Sequence, residues 1–353
     1  MKPLDIPRQR LRNQHLTGPG LKHPADVVSW LVAVQAQDYA AAKWALGLRM
    51  RRAVDPTVEQ AFTAGTILRT HLMRPTWHFV SPGDIRWLLA LTASRVHQSN
   101  ALQYRKLELD RAVLRRSSGA LERALQGGRQ LDREQLRGVL ERAGVHTHGP
   151  LRLGYILMYA ELEGIVCSGP RRGKQFTYAL LEERVPPARI LAREEALAEL
   201  ARRYFTSHGP ATLRDLAKWS GSTIRDARRG LEAVQSQLEQ LAAGGQIFWF
   251  ADLPRTRKAA SPSALLLPNY DEYTVGYRDH SLVFDLSHRF DLIYGHILVL
   301  DGRVAGTWRR TLKKSEVVIE TNSFAPLTRA ESRAVAEAAD RYGAFLGLPV
   351  LLN

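Results

Sequence analysis

At 353 residues the chain has room for two or three domains, and 45% hydrophobic content can give each a buried core, which excludes disorder and extended coiled coil. Fifty Lys and Arg against 35 Asp and Glu leave a formal charge of +15, which points to a polyanionic partner, most often nucleic acid. A single cysteine, Cys167, excludes internal disulfides and cysteine-based zinc or iron–sulfur clusters.

Forty-one of the 50 cations are Arg, as a GC-rich genome alone would produce, but their placement is uneven: residues 1–180 carry net +13 and residues 181–353 net +2. No stretch reaches the roughly 18 apolar residues that span a bilayer, and Met1-Lys2-Pro3-Leu4-Asp5 lacks the apolar core of a signal peptide. A cytoplasmic, nucleoid-associated location is expected.

Pro/Gly clusters at 18–20, 127–128, 186–187, 244–245 and the Ser-Pro-Ser at 261–263 divide the chain into four pieces. The first piece (1–127) predicts a helix over Ala25–Val34, a second segment over Ala40–Leu48, a capped helix from Thr57 and strands around Ile67–Met73 and Thr76–Val80, with Arg74-Pro75 at their turn. At the end of its first helix, Gln35-Ala36-Gln37-Asp38 sets two amides and a carboxylate after the apolar face Val28, Leu31, Val32. If the segment runs extended, Gln35 and Gln37 point the same way and could share a water; the plain alternative is a solvated helix turn with Asp38 capping the next helix. In the ribbon that follows, Arg69, Arg74 and His78 alternate with apolar residues and make one face polar and basic, suited to a phosphate backbone.

The second piece (128–187) predicts helices around Leu131–Leu140 and Leu153–Ala160 and a hairpin of Ile165–Ser168 with Gln175–Leu180. Its tip carries Arg171, Arg172 and Lys174 between permissive glycines, as in a wing that reaches phosphates. The third piece (188–262) has a helix through Leu197, Leu200, Ala201 and Tyr204, then a helix from Thr212 capped with Asp215, a Ser220-Gly221-Ser222 turn and a helix from Thr223. Arg225, Arg228 and Arg229 lie on that last helix as on a helix-turn-helix recognition helix, and Gln246–Phe250 reads as the first strand of a wing. In the fourth piece (263–353), strands precede a helix over Arg329–Phe345, a small β-barrel or sheet with a helix against it. The whole reads as an α+β chain of three tandem winged helix-turn-helix units and a C-terminal β-barrel-like domain.

No P-loop, dinucleotide turn or nucleophile elbow is present, and the histidines show no metal spacing, so neither metal nor cofactor is called for. Asp271, Glu272 and Asp279 form an acidic, aromatic cluster expected to hold a loop through hydrogen bonds and an Arg278 pair.

Four segments together resemble one family, the bacterial winged-helix DNA-binding proteins that include the AlkZ-type and YcaQ-type DNA glycosylases. They are Gln35–Asp38, Arg74–Val80, Leu266–Asp271 with Gly276–Asp279, and Asp301–Arg310, in family order across nearly the whole chain. Pro75 stands where a Gly is common and Asn269-Tyr270 where Arg-Phe is expected. The resemblance implies tandem winged helices and a small barrel around duplex DNA, and a monofunctional glycosylase that releases alkylated bases such as bulky N7-alkylguanines or crosslinks, with Gln35-Ala36-Gln37 as its Gln-apolar-Gln motif. Gln37 would hold the water, Gln35 would orient or stabilise, and Asp38 would be the reserve base. The partner would be double-stranded DNA with alkylated bases, bound by a monomer; the competing readings are a non-catalytic transcription regulator and an RNA-binding module.

Overall fold

The computed structural model describes residues 5–188, 190–251, 261–284 and 295–353. Met1–Leu4 of the expected signal-free start, and parts of the third and fourth pieces, lie outside the described residues.

The first stretch holds α1 (Ile6–Asn13), α2 (Pro24–Leu31), β1 (Ala33–Gln35), α3 (Tyr39–Leu48), α4 (Asp55–Ala64), β2 (Leu68–Leu72) and β3 (Arg74–Val80). The expected helix over 25–34 ends at Leu31, because Val32 turns to φ 71°, a tight turn that a β-branched residue adopts only under strain. Residues 33–35 then pair with β3, Gln35 opposite His78, in a sheet of order β1-β3-β2.

The second stretch follows with α5 (Ile85–Lys106), α6 (Arg111–Leu125), β4 (Leu131–Asp132), α7 (Arg133–Arg142), α8 (Arg152–Leu162), β5 (Val166–Ser168), β6 (Thr177–Leu180) and the short α9 (Leu181–Arg184). Its sheet repeats the first, β4-β6-β5. The third holds α10 (Arg193–Ser207), α11 (Leu213–Ser220), α12 (Ile224–Val234), β7 (Glu239–Ala243) and β8 (Gln246–Phe250). Here a single bridge, Ala211 with Trp249, stands where the other two stretches have their first strand. Gln246–Phe250 is therefore the second strand of its hairpin, and Gly244-Gly245, both at positive φ, form the hairpin turn rather than a break between pieces. Thr212 and Asp215 cap α11 reciprocally, as their spacing predicts.

The last stretch comprises β9 (Ala264–Leu267), α13 (Glu272–Val275), β10 (Ile297–Leu300), β11 (Arg303–Leu312), β12 (Val317–Ser323), α14 (Arg329–Leu346) and β13 (Val350–Leu352). Among the described residues its sheet, β13-β12-β11-β10-β9, is a curled half-barrel and does not close, with β13 parallel to β12.

The buried cores run across the pieces. One joins α2–α4 to the curled sheet and α14: the Trp44 indole donates to the Leu266 carbonyl at 2.7 Å and the Trp308 indole to Leu267 at 2.8 Å, while both rings pack edge-on against Tyr342. A second joins β2, β3 and α5 to α10–α12. A third lies among α6–α8. Strand β1 sits where the first two meet, with Val34 in one core and Ala33 in the other.

Candidate active site

Alternation along β1 and the residues after it decides what each side chain meets. The Ala36 N–H extends the pairing with β3 by donating to the Trp77 carbonyl at 2.7 Å. Gln35 is buried and Gln37 exposed. The Gln35 carbonyl oxygen accepts from Arg74 Nη2 at 3.0 Å, and that of Gln37 accepts from the Trp77 N–H at 3.3 Å. Asp38 caps α3, its Oδ1 accepting from the Ala41 N–H at 3.0 Å, and its Oδ2 lies 3.4 Å from Asn269 Nδ2.

Beneath Gln35 lies a buried polar network. The Gln35 N–H donates to Glu272 Oε1 at 2.8 Å; Glu272 Oε2 accepts from the Trp219 indole at 2.8 Å and faces His208 Nε2 at 3.4 Å. Arg74 bonds the Trp219 carbonyl and lies 3.2 Å from His78 Nε2. Gly221 permits this approach. It ends α11 at φ 67°, and a Cβ there would stand 2.2 Å from the Met73 carbonyl oxygen.

Charge states follow from the partners. Burial pushes the His78 pKa down, and the adjacent Arg74 guanidinium pushes it further, to about 3. Its Nδ1 donates to the Thr76 carbonyl at 3.0 Å, so Nε2 is the bare nitrogen that faces Arg74. For Glu272, burial alone would raise the pKa, but the hydrogen bond and charge of His208, the Arg74 charge and the Gln35 N–H outweigh it and hold the carboxyl at about 2. Burial also lowers His208.

These shifts act on stability in one direction. The unfolded chain binds protons to His78 and His208 below about pH 6.5 while the folded chain resists them, and it protonates Glu272 below about pH 4.5 while the folded carboxylate stays ionised. Stability is therefore expected to fall with acidification below pH 6.5, by on the order of 1.4 kcal/mol per pH unit for each buried histidine, and further below 4.5. Urea unfolding at pH 7.5, 6, 5 and 4 measures this; His78→Gln should flatten the upper part of the profile, and an unchanged profile would assign the loss to other groups.

The basic ribbon expected on β2 and β3 faces inward instead. Arg69 is buried between the rings of Trp77 and Phe176, at 4.2 and 4.7 Å, with Nε donating to the Ala36 carbonyl at 3.0 Å. Burial lowers its pKa to about 10, which leaves it charged at neutral pH. His78 is fully buried and Arg74 half-buried, so Arg69 and His78 brace the Gln segment from within and only Arg74 of the three keeps part of its surface open.

At the β5–β6 tip, Arg171 folds back onto Glu59 at 3.2 Å and over the rings of Tyr39 and Phe176. Arg172 donates to the Gln130 carbonyl at 2.6 Å. Lys174 is exposed, with no partner among the described residues. On α12, Arg225, Arg228 and Arg229 are all exposed, and Arg229 pairs with Glu194 at the surface.

The sequence pattern marks Glu272 as part of a loop-holding cluster and does not connect it to Gln35. The expected Arg278 pair does not form either: Asp271 is held by Arg49, and Arg278 gives its backbone N–H to Asp215. Two acids inside a run of leucines and tyrosines were the available signal, since carboxylates there must be paired. Among the described residues no group of three or more His, Cys, Asp or Glu stands close enough to hold a metal, and no helix is long and apolar enough to cross a membrane.

Paired amides on a strand flanked by α+β repeats and a curled sheet agree with one class, and the family model described as DNA glycosylase AlkZ-like matches residues 28–345. The chain belongs to that family of DNA glycosylases, a class of hydrolases. It is similar to the interstrand DNA cross-link repair glycosylase of Streptomyces sahachiroi, 25% identical over 322 residues that cover 85% of each chain. Its fold is similar to the solved structure of Streptomyces sahachiroi DNA glycosylase AlkZ, with a TM-score of 0.78 at 20% identity over 99% of this chain and 98% of that one.

Proposed function

We propose that this protein binds duplex DNA as a monomer and hydrolyses the N-glycosidic bond of N7-alkylated purines, bulky or crosslinked guanines included. The observation that carries the reading is the exposed Gln37 beside a buried, braced Gln35, at the seam of two cores. An N7-alkylated guanine is cationic and leaves with the C1′–N9 electron pair as a neutral base, so little acid catalysis is needed. The enzyme then has to place a water at C1′ and stabilise an oxocarbenium-like sugar. Gln37 takes the water, since its 3.3 Å contact with Trp77 leaves a carbonyl lone pair to accept a hydrogen bond. Asp38 is the reserve base that receives the water's proton, although its Oδ1 already caps α3. The relative's action on interstrand crosslinks supports including bulky lesions.

In this reading the three repeats are winged helix-turn-helix units within 1–127, 128–187 and 188–262, with the curled sheet of 263–353 closing the molecule. The competing reading, a regulator without catalysis, would use Arg225, Arg228 and Arg229 in a major groove; all three are exposed, Arg229 with its guanidinium on the likewise exposed Glu194. Duplexes carrying N7-methylguanine or a bulkier N7 adduct, incubated with the protein and assayed for free base, test the proposal. No release from any of them, with footprint protection of one spaced site by a dimer, would establish the regulator.

Of the three wing cations, Lys174 is the one expected to contact phosphate, because the other two bond the protein. Lys174→Ala should reduce the slope of log affinity against log salt by about 0.9. Arg171→Ala should instead destabilise the fold by loosening Glu59 and the stacked rings. An unchanged slope in Lys174→Ala would remove the wing from the interface.

A further inference from the structure

Gln35 sits in a closed ring of contacts. Its side-chain oxygen accepts from Arg74, Arg74 also donates to the Trp219 carbonyl, the Trp219 indole donates to Glu272, and Glu272 accepts the Gln35 backbone N–H. The ring draws on the first repeat, the third repeat and α13 of the C-terminal stretch, so it forms only when all three are docked. A guanidinium has only donors, so the Gln35 atom that it touches must be the carbonyl oxygen, and the amide orientation is thereby determined. The Gln35 NH2 then points away from Arg74 and has no partner among the described residues.

We propose that Arg74 and Glu272 are positioning residues that present Gln35 to the substrate as a hydrogen-bond donor, leaving the water to Gln37. This rests on the glycosylase reading above. The division of labour suits the reaction. As C1′–N9 breaks, its electron pair enters the purine, whose ring nitrogens and carbonyl oxygen become better acceptors. A fixed N–H donor aimed at the departing base is therefore stronger in the transition state than in the ground state. A free glutamine could turn its oxygen toward the base and lose that preference. Glu272 holds the backbone and Arg74 the side chain, so neither end of Gln35 is left to rotate.

Gln35→Glu is the decisive variant, because it keeps an oxygen for Arg74 and removes the NH2. Single-turnover release of N7-methylguanine from duplex DNA should drop about tenfold or more, as in Gln35→Ala, with duplex Kd within about threefold; near wild-type release by Gln35→Glu would overturn the donor role. Arg74→Met should lower the rate by a similar factor without weakening duplex binding, and Arg74→Lys should recover part of it. Glu272→Gln extends the test if it folds; Arg74, half-buried, is the safer site. A second readout separates this proposal from the glycosylase reading: in free protein labelled with 15N-glutamine, the Gln35 side-chain NH2 cross peak, assigned by its loss in Gln35→Glu, should shift in Arg74→Met. A cross peak that does not move overturns the clamp whatever the rate. If the wild-type protein releases no base, the glycosylase reading falls and the donor role with it, while the cross peak still decides whether Arg74 holds Gln35.

Discussion

Gln37→Ala is expected to slow base release from an N7-alkylguanine duplex by about 10² or more, the lower range for a lost acid–base or water-positioning group, while duplex affinity stays nearly unchanged. Gln37 is exposed and makes one long hydrogen bond to Trp77, so truncation removes little packing and the folded state should survive. The loss should therefore fall on the chemical step. Gln37→Glu separates two modes of action: if the residue accepts a hydrogen bond from the attacking water, a carboxylate retains or raises activity on a cationic lesion, and if its NH2 donates, the variant falls to the level of Ala. Asp38→Asn is the control. Its cap to Ala41 tolerates an amide oxygen, so a large loss there with little loss in Gln37→Ala would move the base by one residue. Full activity in the Gln35/Gln37 double Ala variant would remove both amides from the mechanism.

Arg49→Met is expected to destabilise the protein by about 3–5 kcal/mol, a large part of the roughly 5–15 kcal/mol that holds a typical domain folded. Arg49 and Asp271 are both fully buried. The guanidinium meets the two carboxylate oxygens at 2.8 Å each and also reaches the Ala45 carbonyl and Gln14. Without it, Asp271 keeps the N–H of Tyr273 and little else to balance a buried charge. Pairing Arg49→Met with Asp271→Leu should recover much of the loss, since two apolar side chains leave no orphaned ion. Urea unfolding followed by tryptophan fluorescence reads both variants. A loss under about 1 kcal/mol for Arg49→Met alone would mean that water reaches Asp271 and that the pair is not closed to solvent.

The two residue pairs differ in how visible they are from the chain. Gln35 and Gln37 stand two positions apart, and their spacing alone raised the question of a shared face. Arg49 and Asp271 are far apart in sequence, and Arg278, a neighbour of the acid, was the natural expectation. Arg69 and His78 went the same way. Alternation marked them as one face of a ribbon, but a basic face reads as solvated until the rings and helices that cover it are known.

By itself the sequence determined what local physics controls: the caps at Thr212 and Asp38, the repeating order of helices and hairpins, the terminal helix, and the Gln-Ala-Gln segment with the other stretches that placed it in its family. Tertiary structure alone decided that the 25–34 helix stops at Leu31, because pairing with β3 outweighs helical propensity over three residues, and that the amide of Gln35 is oriented by Arg74 and its backbone by Glu272. A buried carboxylate or guanidinium must find a partner, and periodicity shows that need without naming the partner, because the groups that satisfy Gln35 come from positions 74 and 272, both bonded to Trp219, and meet only when separate cores close on one strand.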